Sequence, residues 1–361
     1  VSAPGEQAQA PTFFAVPGDL HSRTGGYEYA RQLLAAMPAT GLELNLVQLP
    51  SGFPQPTPAD LRATEQALAA LPDAAVVLVD GLAYGTFPAG LIARLPQTLI
   101  PLVHHPLALE TGPTAAEQER LAAAEREALE RAPAVLVTSV PTAAVLATDY
   151  AVPPGRITVA VPGTHAAQRA GGSGDSVLSL LAVGTLTPRK GYRVLIDALA
   201  QLSELPWRLR IVGDTDRSVA EFDALTAAVA RAGLADRIKF AGLLEPAALE
   251  AAFQASDLFV MPSLYEGFGM ALTEAMARGL PIVSTTGGAA GHTVPDGAGS
   301  KVPPADVGAL AAALRTMLTD PAARRAAAAA SWTAGQNLAR WTDTAAIVAG
   351  VLRAPNKGRT P

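Results

Sequence analysis

Short runs of Val, Ile, Leu and Phe recur along this chain, separated by longer stretches rich in Ala, Leu, Arg and Glu that repeat with a helical period. Runs this short and uniformly apolar read as strands buried on both faces, and a helix after each one supplies the crossover that parallel strands require. The alternation predicts an α/β chain of parallel sheets covered by helices.

Strands are expected at 13–16, 43–47, 75–79, 99–103, 134–138 and 157–161, with helices at 26–37, 58–71 and 115–131 among the segments between them. A second series of strands follows at 178–183, 208–212, 238–241, 258–261 and 282–284. Between the two series lies PGTHAAQRAGGSGDS, polar, glycine-rich and without period, which reads as a linker. A chain of 361 residues exceeds one ordinary domain. Two Rossmann-like, doubly wound domains are therefore expected, 1–168 and 169–340, facing a central cleft, since such sheets bind ligands outside the carboxyl ends of their strands. From Ala305 the chain is almost wholly helical, with breaks at Asp320-Pro321 and near Trp341, and residues 341–361 are expected to cross back to the first domain.

Composition removes several function classes. A net charge of −5 argues against a general nucleic-acid surface, which needs many cations against phosphates, so any phosphate binding must be local. Cysteine is absent, which excludes disulfides, thiolate zinc sites and thiol catalysis. The opening VSAPGEQAQAP lacks the basic and apolar regions of a signal peptide and reads as a ragged start, while APNKGRTP reads as a frayed tail. No run reaches the ~18 apolar residues of a membrane span. The expected location is the cytoplasm, at most peripheral at the inner membrane face.

The segment LLAVGTLTPRKGYRVLIDAL reads as a buried strand, a loop containing Gly184, Pro188 and Gly191, and a helix. A glycine permits close backbone approach to a ligand, and Arg189 and Lys190 at a helix start add two charges to the free amides there, a combination suited to a diphosphate. Taken alone, an Arg-Lys pair is more often a solvated loop. A second motif, DLFVMPSLYEGFGMALTEAMARGLPIV, reads as strand, glycine-rich turn, helix and strand. Gly267 and Gly269 place Glu266 in the turn and Glu274 in the first turns of the helix. Both carboxylates can then reach vicinal hydroxyls while the amides of Phe268, Gly269, Met270 and Ala271 face phosphate oxygens.

The joined pattern, G-x4-RKG from Gly184 and EGFGMALTE from Glu266, resembles the donor site of the family 4 (group 1) retaining glycosyltransferases of GT-B fold, and the likeness runs over nearly the whole chain. The resemblance implies a nucleotide-diphosphate-sugar donor, with Arg189 and Lys190 on the diphosphate, Glu274 on the ribose and Glu266 on the transferred sugar. It also implies retention of anomeric configuration, no required metal and no further cofactor. The acceptor would be a carbohydrate, lipid-linked or small-molecule hydroxyl. Asp214-Thr215-Asp216 has the form of a metal-binding triplet, but octahedral oxygen sites need several placed carboxylates, and a structural turn is the expected reading.

On the acceptor side, FFAVPGDLHSRTGGYEYARQLL resembles the family's N-terminal glycine loop through Gly25, Gly26 and Tyr27, although paired glycines are commonly a mere helix entry. His104 and His105 end a core strand in LIPLVHHPLALETG, as Asp80 ends VVLVDG, at the edge where these sheets present ligands. The family often carries His-Asp at the histidine position, so His104 matches, with acceptor orientation implied, and His105 departs. A second departure is GGAAGHTVPDG, where Gly291 and His292 stand in place of a frequent Pro-Glu. The alternatives are a GT-B sugar-nucleotide epimerase or hydrolase, and a non-catalytic sugar-nucleotide-binding protein. A dinucleotide dehydrogenase is disfavoured, because the first strand is not followed by G-x-G-x-x-G.

Overall fold

The computed structural model describes residues 10–110 and 112–354, so the expected ragged start and frayed tail lie almost wholly outside the described residues. The chain divides into two compact units, one of residues 10–109, 113–161 and 341–354, the other of residues 110, 112 and 162–340.

In the first unit the order begins β1 (Thr12–Pro17), α1 (Gly25–Ala36), β2 (Leu44–Leu49), α2 (Pro58–Ala69), β3 (Val76–Asp80), α3 (Gly81–Tyr84) and α4 (Ala89–Arg94). It continues through β4 (Thr98–Val103), α5 (Ala115–Glu130), β5 (Val135–Val137), α6 (Val140–Asp149) and β6 (Ile157–Val159). The strands form one parallel sheet in the order β2-β1-β3-β4-β5-β6. Every residue of β3 is buried, as a central parallel strand covered on both faces must be. Helix starts follow local chemistry: Thr57 and Thr114 accept from the backbone three residues on, and Asp60 and Glu117 return the bond, closing two capping boxes.

The second unit runs β7 (Leu178–Val183), α7 (Tyr192–Ala200), β8 (Trp207–Val212), α8 (Val219–Arg231), β9 (Ile238–Phe240), α9 (Pro246–Gln254) and β10 (Leu258–Met261). Then come α10 (Met270–Ala277), β11 (Ile282–Thr285), α11 (Ala290–Thr293), β12 (Gly299–Val302), α12 (Val307–Thr319) and α13 (Pro321–Gln336). Its sheet is also parallel, in the order β12-β11-β10-β7-β8-β9. Eleven of the strands match the sequence expectation to within about two residues, and β12 was not foreseen. The glycine-rich stretch read as a linker has no helix or strand, yet it is bonded into the second unit. Thr164 Oγ1 donates to Thr273 Oγ1 at 2.9 Å, Ala170 N to Arg278 O at 2.8 Å, and Gly172 N to Gln254 O at 3.0 Å.

The last helix, α14 (Trp341–Arg353), belongs to the first unit. Trp341, Thr344, Ala345, Val348, Ala349 and Leu352 are its buried face, with the Trp341 ring edge-on to Tyr29 at 5.4 Å. Among the described residues no helix is long and apolar enough to cross a membrane.

Candidate functional site

In a doubly wound sheet the crevice opens where the strand order reverses, beyond the carboxyl ends of the two strands that leave in opposite directions. In the second unit these are β7 and β10. The loop after β7 carries Gly184 to Gly191, and the loop after β10 carries Pro262 to Gly269, so the two motifs singled out in the sequence meet at the switch point.

Their backbones are locked together. Leu264 N donates to Arg189 O at 2.7 Å, and Gly191, at φ +65°, lies where a Cβ would stand 2.1 Å from Pro262 O. Only glycine fits both the left-handed turn and that approach. Glu266 is held from its other side by a bridge to Gly288, with Glu266 N donating to Gly287 O at 3.2 Å and Ala289 N to Glu266 O at 2.8 Å.

This framework brings Arg189, Lys190 and Glu266 into one cluster. Lys190 Nζ and Ser263 Oγ each donate to Glu266 Oε1 at 2.6 Å, and Arg189 Nη1 stands 3.6 Å from Glu266 Oε2. Arg189 also donates to Tyr265 O at 2.7 Å and pairs with Glu110 at 3.0 Å. Glu266 is only 5% exposed. Burial alone would push its carboxyl up, but Lys190, Arg189 and the Ser263 hydroxyl outweigh it and hold the group below its ordinary value. Burial likewise works against the Arg189 charge, which Glu266 and Glu110 restore.

Gly184 backs this cluster: a Cβ there would lie 3.1 Å from Lys190 Cε and from the Tyr192 hydroxyl, which donates to Gly184 O at 2.8 Å. Gly267 and Phe268 lead into Gly269, which caps α10 at φ +90°, so Met270 opens the helix and presents N-terminal amides. Phe268 O accepts from Thr293 at 2.6 Å. Glu274 lies one turn beyond Met270 and is partly exposed.

In the first unit the strand order reverses between β1 and β3. Gly25 and Gly26 form the first turn of α1, capped by Thr24, and Tyr27 donates its hydroxyl to Pro17 O at 2.8 Å. A Cβ on Gly26 would touch the His104 ring at 3.6 Å. Asp80 ends β3 and caps α3 through Leu82 N, and its other oxygen lies 3.8 Å from His104 Nε2. The His104 ring meets the edge of Tyr29 at 5.3 Å, and its carbonyl accepts from Thr138 at 3.1 Å. Gly26, Asp80 and His104 therefore converge, with Tyr27 beside them on α1 and His105, partly buried, next along the chain.

Asp214 Oδ1 accepts from Asp216 N at 2.9 Å and Arg217 N at 3.3 Å, which makes the acidic triplet a side-chain-closed turn. Gly291 and His292 lie in α11, and Lys301 donates to the carbonyls of Gly291 and of Val294 just past the helix. Sequence reasoning missed Ser263, whose hydroxyl fixes Glu266, and Glu125 of α5, a fully buried carboxylate that accepts from Leu107 N at 2.9 Å. A serine three residues before a motif glutamate, or a glutamate in a helix with many, gives no sequence signal.

The model of the family "Glycosyl transferases group 1" matches residues 167–331. An MMP alpha-(1->4)-mannosyltransferase of Mycolicibacterium hassiacum is 30% identical over 309 residues, covering 78% of this chain and 70% of that protein. A D-inositol 3-phosphate glycosyltransferase of Kineococcus radiotolerans is 33% identical over 232 residues, 56% of this chain and 53% of that protein. Among solved structures, a sucrose-phosphate synthase from Thermosynechococcus elongatus shares the fold at a TM-score of 0.79 and 24% identity, over 95% of this chain and 98% of that one. HepE of Anabaena, solved with UDP-glucose, shares it at 0.76 and 18% identity, over 94% and 99%. Two parallel sheets, a switch-point cluster joining both sequence motifs, and this similarity lead to one conclusion: the chain belongs to the group 1 glycosyltransferases, with the GT-B fold.

Proposed function

We propose that the chain is a retaining, metal-independent transferase that moves a sugar from a nucleotide-diphosphate donor to an acceptor hydroxyl. The observation that carries this reading is the convergence of Arg189, Lys190 and Glu266 where β7 and β10 diverge. Two cations and the amides of α10 offset a diphosphate, and a buried carboxylate beside them accepts from a sugar hydroxyl. Glu266 Oε2, the oxygen with the longer cation contact, is the one suited to that bond, and Glu274 is assigned to the ribose.

In this mechanism the bond from the anomeric carbon to the diphosphate oxygen breaks while the acceptor oxygen attacks from the same face. The acceptor proton passes to the departing phosphate oxygen, and the nucleoside diphosphate leaves. Negative charge grows on the diphosphate as the bond lengthens, so Arg189 and Lys190 bind the transition state more strongly than the ground state. His104, with Asp80 and the Gly25-Gly26 turn, is assigned to orienting the acceptor, and Tyr27 to holding that turn through Pro17.

The test is product analysis by NMR with a panel of UDP-, GDP- and ADP-sugars, with and without chelator. Retained anomeric configuration and chelator-resistant turnover support the mechanism. Inverted product or loss of activity on chelation overturns it, and donor consumption independent of any acceptor would favour the hydrolase or epimerase.

A further inference from the structure

All-parallel sheets are covered on both faces, and the sheet of the second unit departs from that rule in one place. Side chains alternate along strands, so residues 179 and 181 of β7, 208, 210 and 212 of β8, and 239 just before 241 after β9 share one face. Towards the carboxyl ends that face is apolar: Leu181 and Val212 pack with Ala252 and Phe253 of α9, with Ala241 against them. Ser179 and Arg208 lie towards its amino ends, Arg210 and Lys239 at mid-strand, level with Leu181, and the three cations are exposed. Together with Ser256 and the end of α9 they line a depression of about 350 Å³.

The charges there are poorly compensated. Arg210 and Lys239 are register partners on adjoining strands, an arrangement in which like charges repel. Among the described residues neither side chain makes an ion pair or hydrogen bond. Arg208 donates to Ser179 Oγ at 2.8 Å and lies 3.7 Å from Asp175. A chain of net charge −5 does not acquire such a half-face from basic composition. A lysine on an edge strand guards against strand pairing, which accounts for Lys239 on β9 but not for Arg210 one strand further in.

We propose that this depression binds a soluble phosphate monoester of about the size of a sugar phosphate. A phosphate dianion removes the repulsion between Arg210 and Lys239, and guanidinium groups match its oxygens in paired hydrogen bonds. The volume lies at the lower end of small-ligand sites, roughly 300 to 1,000 Å³. The donor loops leave the carboxyl ends of the same sheet, whereas this site runs from mid-strand towards the amino ends of β7 and β8, so the two ligands do not compete for one place.

The experiment is titration calorimetry of the full chain with glucose 6-phosphate and with inorganic phosphate. It is run on the wild type, Lys190→Ala, each single variant Arg210→Gln and Lys239→Gln, and their combination. Saturable binding that persists in Lys190→Ala and weakens by about tenfold or more in the combined variant supports the site. The combined variant should keep the wild-type Tm without ligand and the wild-type donor KM, and each single variant should be intermediate. Absence of binding at millimolar ligand, equal binding by wild type and combined variant, or binding lost in Lys190→Ala alone overturns it. So does a combined variant whose only defect is reduced sedimentation with phosphatidylglycerol vesicles, which would make the face a membrane contact.

Discussion

Lys190 Nζ lies 2.6 Å from Glu266 Oε1 although the two residues are 76 positions apart. Lys190 helps hold the buried Glu266 carboxyl in its charged form, so the group assigned to the diphosphate and the group assigned to the sugar fix each other's position. In the proposed mechanism such pairing lowers the reorganisation demanded during reaction, because preorganised groups need not move as charge develops.

Lys190→Ala should cut turnover by roughly 10² to 10³, the scale for a lost oxyanion donor. It also leaves the buried Glu266 carboxylate with Arg189 as its one remaining cation of the pair, beside the Ser263 hydroxyl. The stability loss should fall below the ~3 to 5 kcal/mol of a fully broken buried pair, because one cation remains. Steady-state kinetics and denaturant titration read the two effects separately, and unchanged turnover would remove Lys190 from the mechanism.

Glu125 predicts a pH dependence in the opposite direction from Glu266. Burial is its largest influence and pushes the carboxyl from 4.5 up to about 8, against the Leu107 N–H bond and the Tyr150 hydroxyl. A raised folded value means that proton-linked stability is complete below about 4.5 and is lost as pH rises through about 8. Glu125→Gln should keep the bond to Leu107 and flatten the fall in Tm across that window. Parallel Tm profiles for wild type and variant would contradict this. Glu266, held low, loses its contribution only as pH falls through its folded value.

Two glycines with the same backbone sign separate strain from collision. Gly191 and Gly233 sit at φ +65° and +68°, but an added Cβ meets Pro262 O at 2.1 Å in the first and nothing within 4 Å in the second. Gly233→Ala should cost about 1 to 2 kcal/mol, the penalty of a left-handed residue. Gly191→Ala should exceed that and raise the donor KM, since Pro262 leads the segment carrying Glu266. Similar losses from both, with donor KM unaffected, would refute the locking role of Gly191.

Trp341→Ala should destabilise the first unit by about 3 to 5 kcal/mol, as for a large buried aromatic. The Trp341 ring touches Tyr29, whose ring touches His104, so the acceptor KM should rise as well. Tyr29→Leu provides a check: it should reproduce the kinetic effect with a smaller loss of Tm.

The strands were legible because buried parallel strands are uninterrupted apolar runs, and the two loops that carry Arg189, Lys190 and Glu266 because glycines and charges recur at fixed spacing around a strand end. What escaped depends on partners distant in sequence. β12 reads Gly-Ser-Lys-Val, with no apolar run, and becomes a strand through pairing with β11, where Gly299 lies so close that a Cβ would meet Ile282 O at 1.8 Å. The engagement of Glu266 by Lys190 and Ser263 was hidden for the same reason: spacing placed the glutamate in the turn but gave no direction to its side chain. The stretch at 162–176 looked like a free connector because its bonds are to groups of the second unit far away in sequence, which composition does not record.

The first unit is the one whose strands are made first, yet Trp341 to Leu352 of α14 cover it only after all of the second unit has been synthesised. On the ribosome its early sheet must wait, lacking the aromatic wedge against Tyr29, while nearly two hundred further residues emerge. Vectorial folding therefore favours the opposite order from the one in which the chain is written, with the later lobe able to close first and the earlier one completed last.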